Sequence, residues 1–224
     1  MQARSSGPAI ALSIAILLCA AAAPRAAVPG GREPGAPPVG ESATPRVSAS
    51  MVSYRTPAIS LTREDGKTVL LARELDDGRP VLLNFVFTSC PSICPLASQT
   101  FAEFQRRLGP EAAGVHLMSI SIDPEQDTPA RLLEYARKFH ARAGWQLYTG
   151  SLEDSVTAQR AFDVYRGNKM SHTPVTLMRA APGQPWLRIE GFVTPDDLVQ
   201  DYRRLVAGAE SDRREPILGA NASP

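Results

Sequence analysis

From Tyr54 onward the chain alternates short apolar runs with longer stretches whose apolar residues recur at helical spacing; before Tyr54 it does neither. Ala58-Ile59-Ser60-Leu61 and Lys67-Thr68-Val69-Leu70-Leu71 flank Asp65-Gly66, which predicts a hairpin. Pro80–Phe87 is a continuous apolar run of the kind expected for a central strand covered on both faces. Ala97, Phe101, Phe104 and Leu108 then share one helical face, in a helix that Pro95 can open. Val115–Ile122 is the next buried strand. Asp127 or Thr128 caps a second helix, with Pro129 in its first turn and Leu132, Ala136, Phe139 and Ala143 on its inner face. Gln146–Thr149 is a short strand, and Ala158, Ala161, Phe162 and Tyr165 mark a third helix. Strands at Val175–Met178 and Trp186–Val193 surround the turn Pro182-Gly183-Gln184-Pro185, and Leu198, Tyr202 and Leu205 mark the last helix.

The ends of the chain read differently. Arg4 precedes an apolar run, Ala9–Ala23, shorter than the ~20 residues that span a bilayer comfortably. A basic start, a short apolar stretch and small residues at its end read as a secretory signal over residues 1–23. Ala20 and Ala22 form a cleavage pair; retention of the segment as an anchor is the rival reading, and either puts the rest outside the cytoplasm. Cys19 lies within this segment, where Ile16-Leu17-Leu18 is a poor approach to a lipidation site. Residues 24–52 are rich in Pro, Gly, Ala and Ser and are expected to be a disordered linker. The folded domain is expected over residues 53–207, followed by a flexible tail over 208–224.

Composition narrows the functional classes. With 43% hydrophobic and 21% charged residues the chain is an ordinary globular one, long enough for one well-buried core. Its 24 basic and 23 acidic residues are dispersed, giving a formal charge of +1, and no basic block argues for a nucleic-acid surface.

The chemistry concentrates at Cys90 and Cys94, between the central strand and the helix that follows it. Once Cys19 is removed they are the only cysteines left. In an oxidising compartment a pair fits a disulfide, and equally a metal site kept reduced by a partner. With Pro95 at the first helical position, Cys94 is expected at the helix start, where unpaired amides favour its thiolate. The three-residue gap is wider than the two-residue gap usual in thioredoxin-like oxidoreductases and leaves room for an ion between the sulfurs. Two thiolates select soft ions such as Cu(I), but two ligands make an incomplete site.

The element order describes an α/β sandwich: a central mixed β-sheet flanked by helices, with an added N-terminal hairpin. A thioredoxin-like fold has this order. In that fold the loop before the penultimate strand carries a cis-proline and packs beside the active cysteines. Pro174 fits that place, which would bring His172 to the pair as a candidate third ligand, the rival being a solvent-exposed loop histidine.

The segment Asn84-Phe85-Val86-Phe87-Thr88-Ser89-Cys90-Pro91-Ser92-Ile93-Cys94-Pro95 resembles the cysteine motif of SCO/SenC proteins. Ser119-Ile120-Ser121-Ile122-Asp123-Pro124-Glu125-Gln126-Asp127-Thr128-Pro129 resembles their second signature, and His172 stands where their third copper ligand stands. The matches cover about residues 54 to 206. The resemblance implies one copper, Cu(I) or Cu(II), bound through Cys90, Cys94 and His172, and a Cys90–Cys94 disulfide in the oxidised state. It implies a metallochaperone for the binuclear copper centre of cytochrome c oxidase subunit II or another copper protein. A periplasmic reductant or copper donor would be a further partner. In bacteria such proteins are periplasmic or tethered to the inner membrane, and this chain is expected to be periplasmic, soluble or tethered through its N-terminal segment. Pro174 keeps a thioredoxin feature that many members lack, so a thiol–disulfide oxidoreductase in which Cys90 attacks and Cys94 resolves stays open. A peroxide-reducing enzyme is set aside, since the expected threonine and arginine spacing is not evident.

Asp123 is expected to cap local backbone amides, the rival being a role in orienting the cysteine loop or meeting a partner. Asp127 is expected as a helix cap. Met170 is read as packing, with a weak thioether ligand as its alternative. His116 and His140 are read as structural.

Overall fold

The computed structural model describes residues 47–219, with side chains described through residue 211. The proposed signal, most of the linker and the last five residues lie outside them. Among the described residues no helix is long and apolar enough to cross a membrane.

The centre of the fold is β4 (Val81–Val86), all six of whose residues are buried. Along its parallel edge lies β5 (His116–Ser121), and beyond that, also parallel, β6 (Trp145–Thr149). The other edge pairs antiparallel with β7 (Val175–Arg179), followed by β8 (Trp186–Glu190). The outer strands are β1 (Ser48–Val52) beside β8, and the hairpin β2 (Ser60–Arg63) and β3 (Thr68–Leu70) beside β6. The strand order is therefore β1-β8-β7-β4-β5-β6-β2-β3.

Alternation along the strands divides the core in two. Val81, Leu83 and Phe85 of β4 join Met118 and Ile120 on one face, under α1 (Leu71–Leu75) and α4 (Leu152–Ala161). Leu82, Leu117 and Leu147 point the other way, toward α2 (Ile93–Leu108), α3 (Pro129–Lys138) and α5 (Pro195–Gly219). On that face Phe104 of α2 meets Tyr202 of α5 edge-on at 5.6 Å. Asn84, the only polar residue of β4, accepts a bond from Ser119 Oγ (2.7 Å), which in turn accepts one from Trp145 Nε1 (3.0 Å). A polar rung thus crosses three strands inside the apolar layer.

The expected fold class stands, as do its central strands and helices; the differences are local. Ser48–Val52, expected as linker, are an edge strand held by backbone pairing to β8, with largely exposed side chains that leave no apolar pattern to read. The second helix ends at Lys138, because His140 takes a positive φ of 55°, and Ala143 is exposed rather than inward-facing. The third helix begins earlier than its apolar spacing suggests, at Leu152, where Ser151 caps it through the Asp154 amide (3.0 Å). The last helix continues past Gly208, the expected start of a loose tail, to Gly219.

Leu83 is fully buried in the central strand. Leu83→Ala should lower unfolding free energy by about 2–5 kcal/mol, read by urea denaturation, because so enclosed a site cannot collapse around the lost volume.

Candidate metal centre

Three loops meet where β4 and β5 end and β7 begins. Because β5 runs parallel to β4 and β7 runs against it, the segments after Val86, after Ser121 and before Val175 fall at the same end of these strands. His172 is thereby brought to Phe85: its Nε2 lies 3.0 Å from the Phe85 carbonyl oxygen. A carbonyl only accepts, so Nε2 carries the hydrogen and the neutral ring has its lone pair on Nδ1. Burial pushes the His172 imidazole below its ordinary pKa and the charge of Arg166 adds to this, while the Phe85 carbonyl opposes it. The ring is therefore neutral near neutral pH.

The cysteine loop is shaped by a carboxylate that sequence reasoning assigned elsewhere. Asp127 does not cap α3; Thr128 does, accepting from the Arg131 amide at 3.3 Å. The fully buried Asp127 carboxylate instead accepts from the Thr88 amide (3.2 and 3.1 Å), Thr88 Oγ1 (2.5 Å) and Ser121 Oγ (2.6 Å). It clamps the loop after β4 to the end of β5. Its place beside Thr128-Pro129 imitates a cap signal, and only the strand pairing reveals its other partners.

Asp123 is a second correction. Its carboxylate meets Lys169 Nζ at 2.5 Å, so the end of β5 is tied to the loop that carries His172. Lys169 also lies over the Phe87 ring, 5.8 Å from its centroid. The peptide before Pro174 is trans, as are all others among the described residues, so the cis-proline expected of that loop is not there.

The two cysteines have unequal surroundings, the reverse of expectation. Helix α2 begins at Ile93, which places Cys94 inside the first turn and Cys90 ahead of it. The amide of Cys94 points at Cys90 Sγ, 3.3 Å away. Burial, the largest single influence, opposes ionisation of Cys90. The amides of Cys94, Ser92 and Ile93 and the Cys94 thiol together outweigh it, and the Cys90 thiol sits below its ordinary range. Burial pushes the Cys94 thiol far up, with the negative charges of Cys90 and Asp127 adding to it. The helix start thus serves Cys90, because Cys94's own sulfur lies inside the core while the free amides face back toward the loop. Both cysteines are free thiols here.

Cys90, His172 and Met170 line one small cleft, and Cys94 and His172 line an adjoining one. Among the described residues, however, no three His, Cys, Asp or Glu side chains converge closely enough to hold an ion as they lie. Cys90, Cys94 and His172 are neighbours, not a closed ligand set. Met170 is 64% exposed, which argues against the packing role expected of it. His116 is structural: it is buried, with Nδ1 3.0 Å from the Glu74 carbonyl oxygen and Nε2 3.0 Å from Tyr148 Oη. His140 is exposed beyond the end of α3 and away from these loops.

A mixed sheet with a dithiol after its central strand, the second cysteine in the opening turn of a helix, defines a thioredoxin-like protein. The SCO1/SenC family model matches residues 54–207, and the chain belongs to that family. It is 30% identical over 106 residues to the SCO1 protein homolog of Bacillus subtilis. The match covers 47% of this chain and 54% of that one, so the chain spans about half the length of that relative. Among solved structures it resembles copper-bound ScoI of Arabidopsis thaliana, at 27% identity and a TM-score of 0.58, over 68% of this chain and 98% of that one. Copper-bound ScoI of Bradyrhizobium japonicum is similar at 26% identity and a TM-score of 0.57, over 67% and 98% of the respective chains.

Two outcomes follow from this geometry. Iodoacetamide near neutral pH should modify Cys90 well ahead of Cys94, as peptide mass mapping would read; equal rates would contradict the asymmetry. Asp127→Ala should lower stability by about 1–3 kcal/mol, because it strands the Thr88 amide in a part-buried loop, and denaturant unfolding checks this.

Proposed function

We propose that the protein is a copper metallochaperone of cytochrome c oxidase assembly. It carries one copper as cargo on Cys90 Sγ, Cys94 Sγ and His172 Nδ1. The observation that carries this reading is the state of His172: a buried, neutral imidazole whose Nε2–H is held by the Phe85 carbonyl, leaving the lone pair on Nδ1 of a ring that lines one cleft with Cys90 and another with Cys94. A hydrogen bond on the far ring nitrogen is the usual support of a ligating histidine. Two sulfurs and one imidazole suit copper better than a hard cation. The donors do not yet converge, so loading the ion requires movement in the cysteine loop or in the segment around His172. A site that closes on its cargo also reopens, which suits transfer by ligand exchange.

In this reading the client is the binuclear copper centre of cytochrome c oxidase subunit II or a similar copper protein. The location is the periplasm, with the chain soluble or tethered through residues 1–23. A reductant keeps Cys90 and Cys94 from forming a disulfide, and a copper donor loads them.

A second reading is favoured by the asymmetry of the thiols. As a thiol–disulfide oxidoreductase, Cys90 thiolate attacks a partner disulfide and releases one partner thiolate. Cys94 then gives up its proton and attacks Cys90 Sγ, freeing the second partner thiolate. The partner gains two electrons, and the protein is left with the Cys90–Cys94 disulfide.

Titration of the reduced protein with Cu(I) should give one ion per chain. His172→Ala, Cys90→Ser and Cys94→Ser should each weaken binding by more than the ~10–100-fold typical of losing an outer-shell partner. Unchanged affinity in His172→Ala would remove the histidine from the site. Failure of the reduced protein to bind copper, with catalytic reduction of a disulfide substrate, would favour the oxidoreductase.

A further inference from the structure

A groove runs along α2 away from the cysteines, walled by the segment after α3 and by the approach to α5. Its apolar floor includes Leu96 and Phe192, large side chains left 50% and 39% exposed. Its rim carries Arg106, Lys138 and Arg142 against a single carboxylate, Glu103, which is already ion-paired with Arg106 and Arg107. Among the described residues no ion pair engages Lys138 or Arg142; Lys138 lies near the Phe139 ring, 5.5 Å from its centroid. The groove adjoins the thiol site: Thr100 and Phe192 line both it and the cleft that holds Cys94 and His172.

We propose that this groove docks an acidic, partly apolar segment of the protein with which the site exchanges its cargo. The occupant's carboxylates meet Lys138 and Arg142, and its apolar side chains cover Leu96 and Phe192. Charge complementarity selects the sign of the occupant. Exposed apolar floor beside unpaired cations selects a polypeptide that carries both characters, and the shared wall at Phe192 puts such a chain next to the cleft of Cys94 and His172. The identity of the exchange partner rests on the metallochaperone reading; the docking chemistry does not.

The test uses the full chain with a short blocked peptide in which Glu alternates with Leu and Phe, and a control with Lys in place of Glu. The acidic peptide should shift the backbone amide resonances of Leu96, Lys138, Arg142 and Phe192, and the control should not. The double variant Lys138→Glu/Arg142→Glu should weaken peptide binding at least ~10-fold. Wild-type binding should fall steeply at about 1 M salt, where the Debye length is near 3 Å. Leu96→Ser, also on the surface, should weaken binding without altering its salt dependence. Binding that ignores the charge reversal, resonance shifts elsewhere, or no binding would overturn the proposal. So would charge-dependent binding to phosphatidylglycerol vesicles without binding to the peptide, which would make the groove a lipid surface. Copper titration of the double variant separates the two readings: uptake equal to wild type, with peptide binding lost, assigns the groove to docking alone. If wild type takes up no copper, the metallochaperone reading fails while the peptide result stands on its own.

Discussion

Everything at the candidate site depends on β4 being paired in opposite senses along its two edges. Parallel pairing with β5 puts the ends of both strands together; antiparallel pairing with β7 puts the start of that strand beside them. Cysteines, carboxylates and histidine therefore share one end of the central strands although Phe85 and His172 are 87 residues apart. The register is enforced from both faces, because every residue of β4 is buried. A shift of one position would exchange the two core faces and drive Asn84 away from Ser119.

Two acidic residues then turn proximity into a defined arrangement, and they divide the work. Asp127 joins the cysteine loop to β5, using bonds to Thr88 and Ser121 that leave it no capacity to cap α3. Asp123 joins β5 to the histidine loop through Lys169. The cysteine and histidine loops are thus each fastened to the same strand end. Within the cysteine loop the start of α2 decides which thiol ionises more readily. Its amides face Cys90, while the low-dielectric interior and the neighbouring charges work against Cys94.

The same helix links the chemistry to the surface. One face of α2 packs into the core through Phe101, Phe104 and Leu108, while Leu96 and Thr100 border the open groove. Thr100 and Phe192 are common to this groove and to the cleft lined by Cys94 and His172, so the groove adjoins the thiol site.

The sequence by itself determined the architecture and the identity of the reactive residues. Apolar runs over Pro80–Phe87 and Val115–Ile122 and the helical spacing of Ala97, Phe101, Phe104 and Leu108 are patterns that only a covered sheet with flanking helices can bury, and two cysteines stood at one strand-to-helix junction. The roles of individual groups were not legible, because they depend on partners distant along the chain. Asp127 beside Thr128-Pro129 looks like a cap until strand pairing brings Thr88 to it. Cys94 before Pro95 looks like the favoured thiolate until the helix start is seen to lie at Ile93. Ser48–Val52 look like linker because backbone pairing to β8, which leaves no mark on side-chain pattern, is what makes them a strand. Periodicity records which face of an element is dry; tertiary structure decides which donor meets which acceptor, and at this site burial and the amides of the helix start separate the two thiols while a hydrogen bond to Phe85 fixes the tautomer of His172.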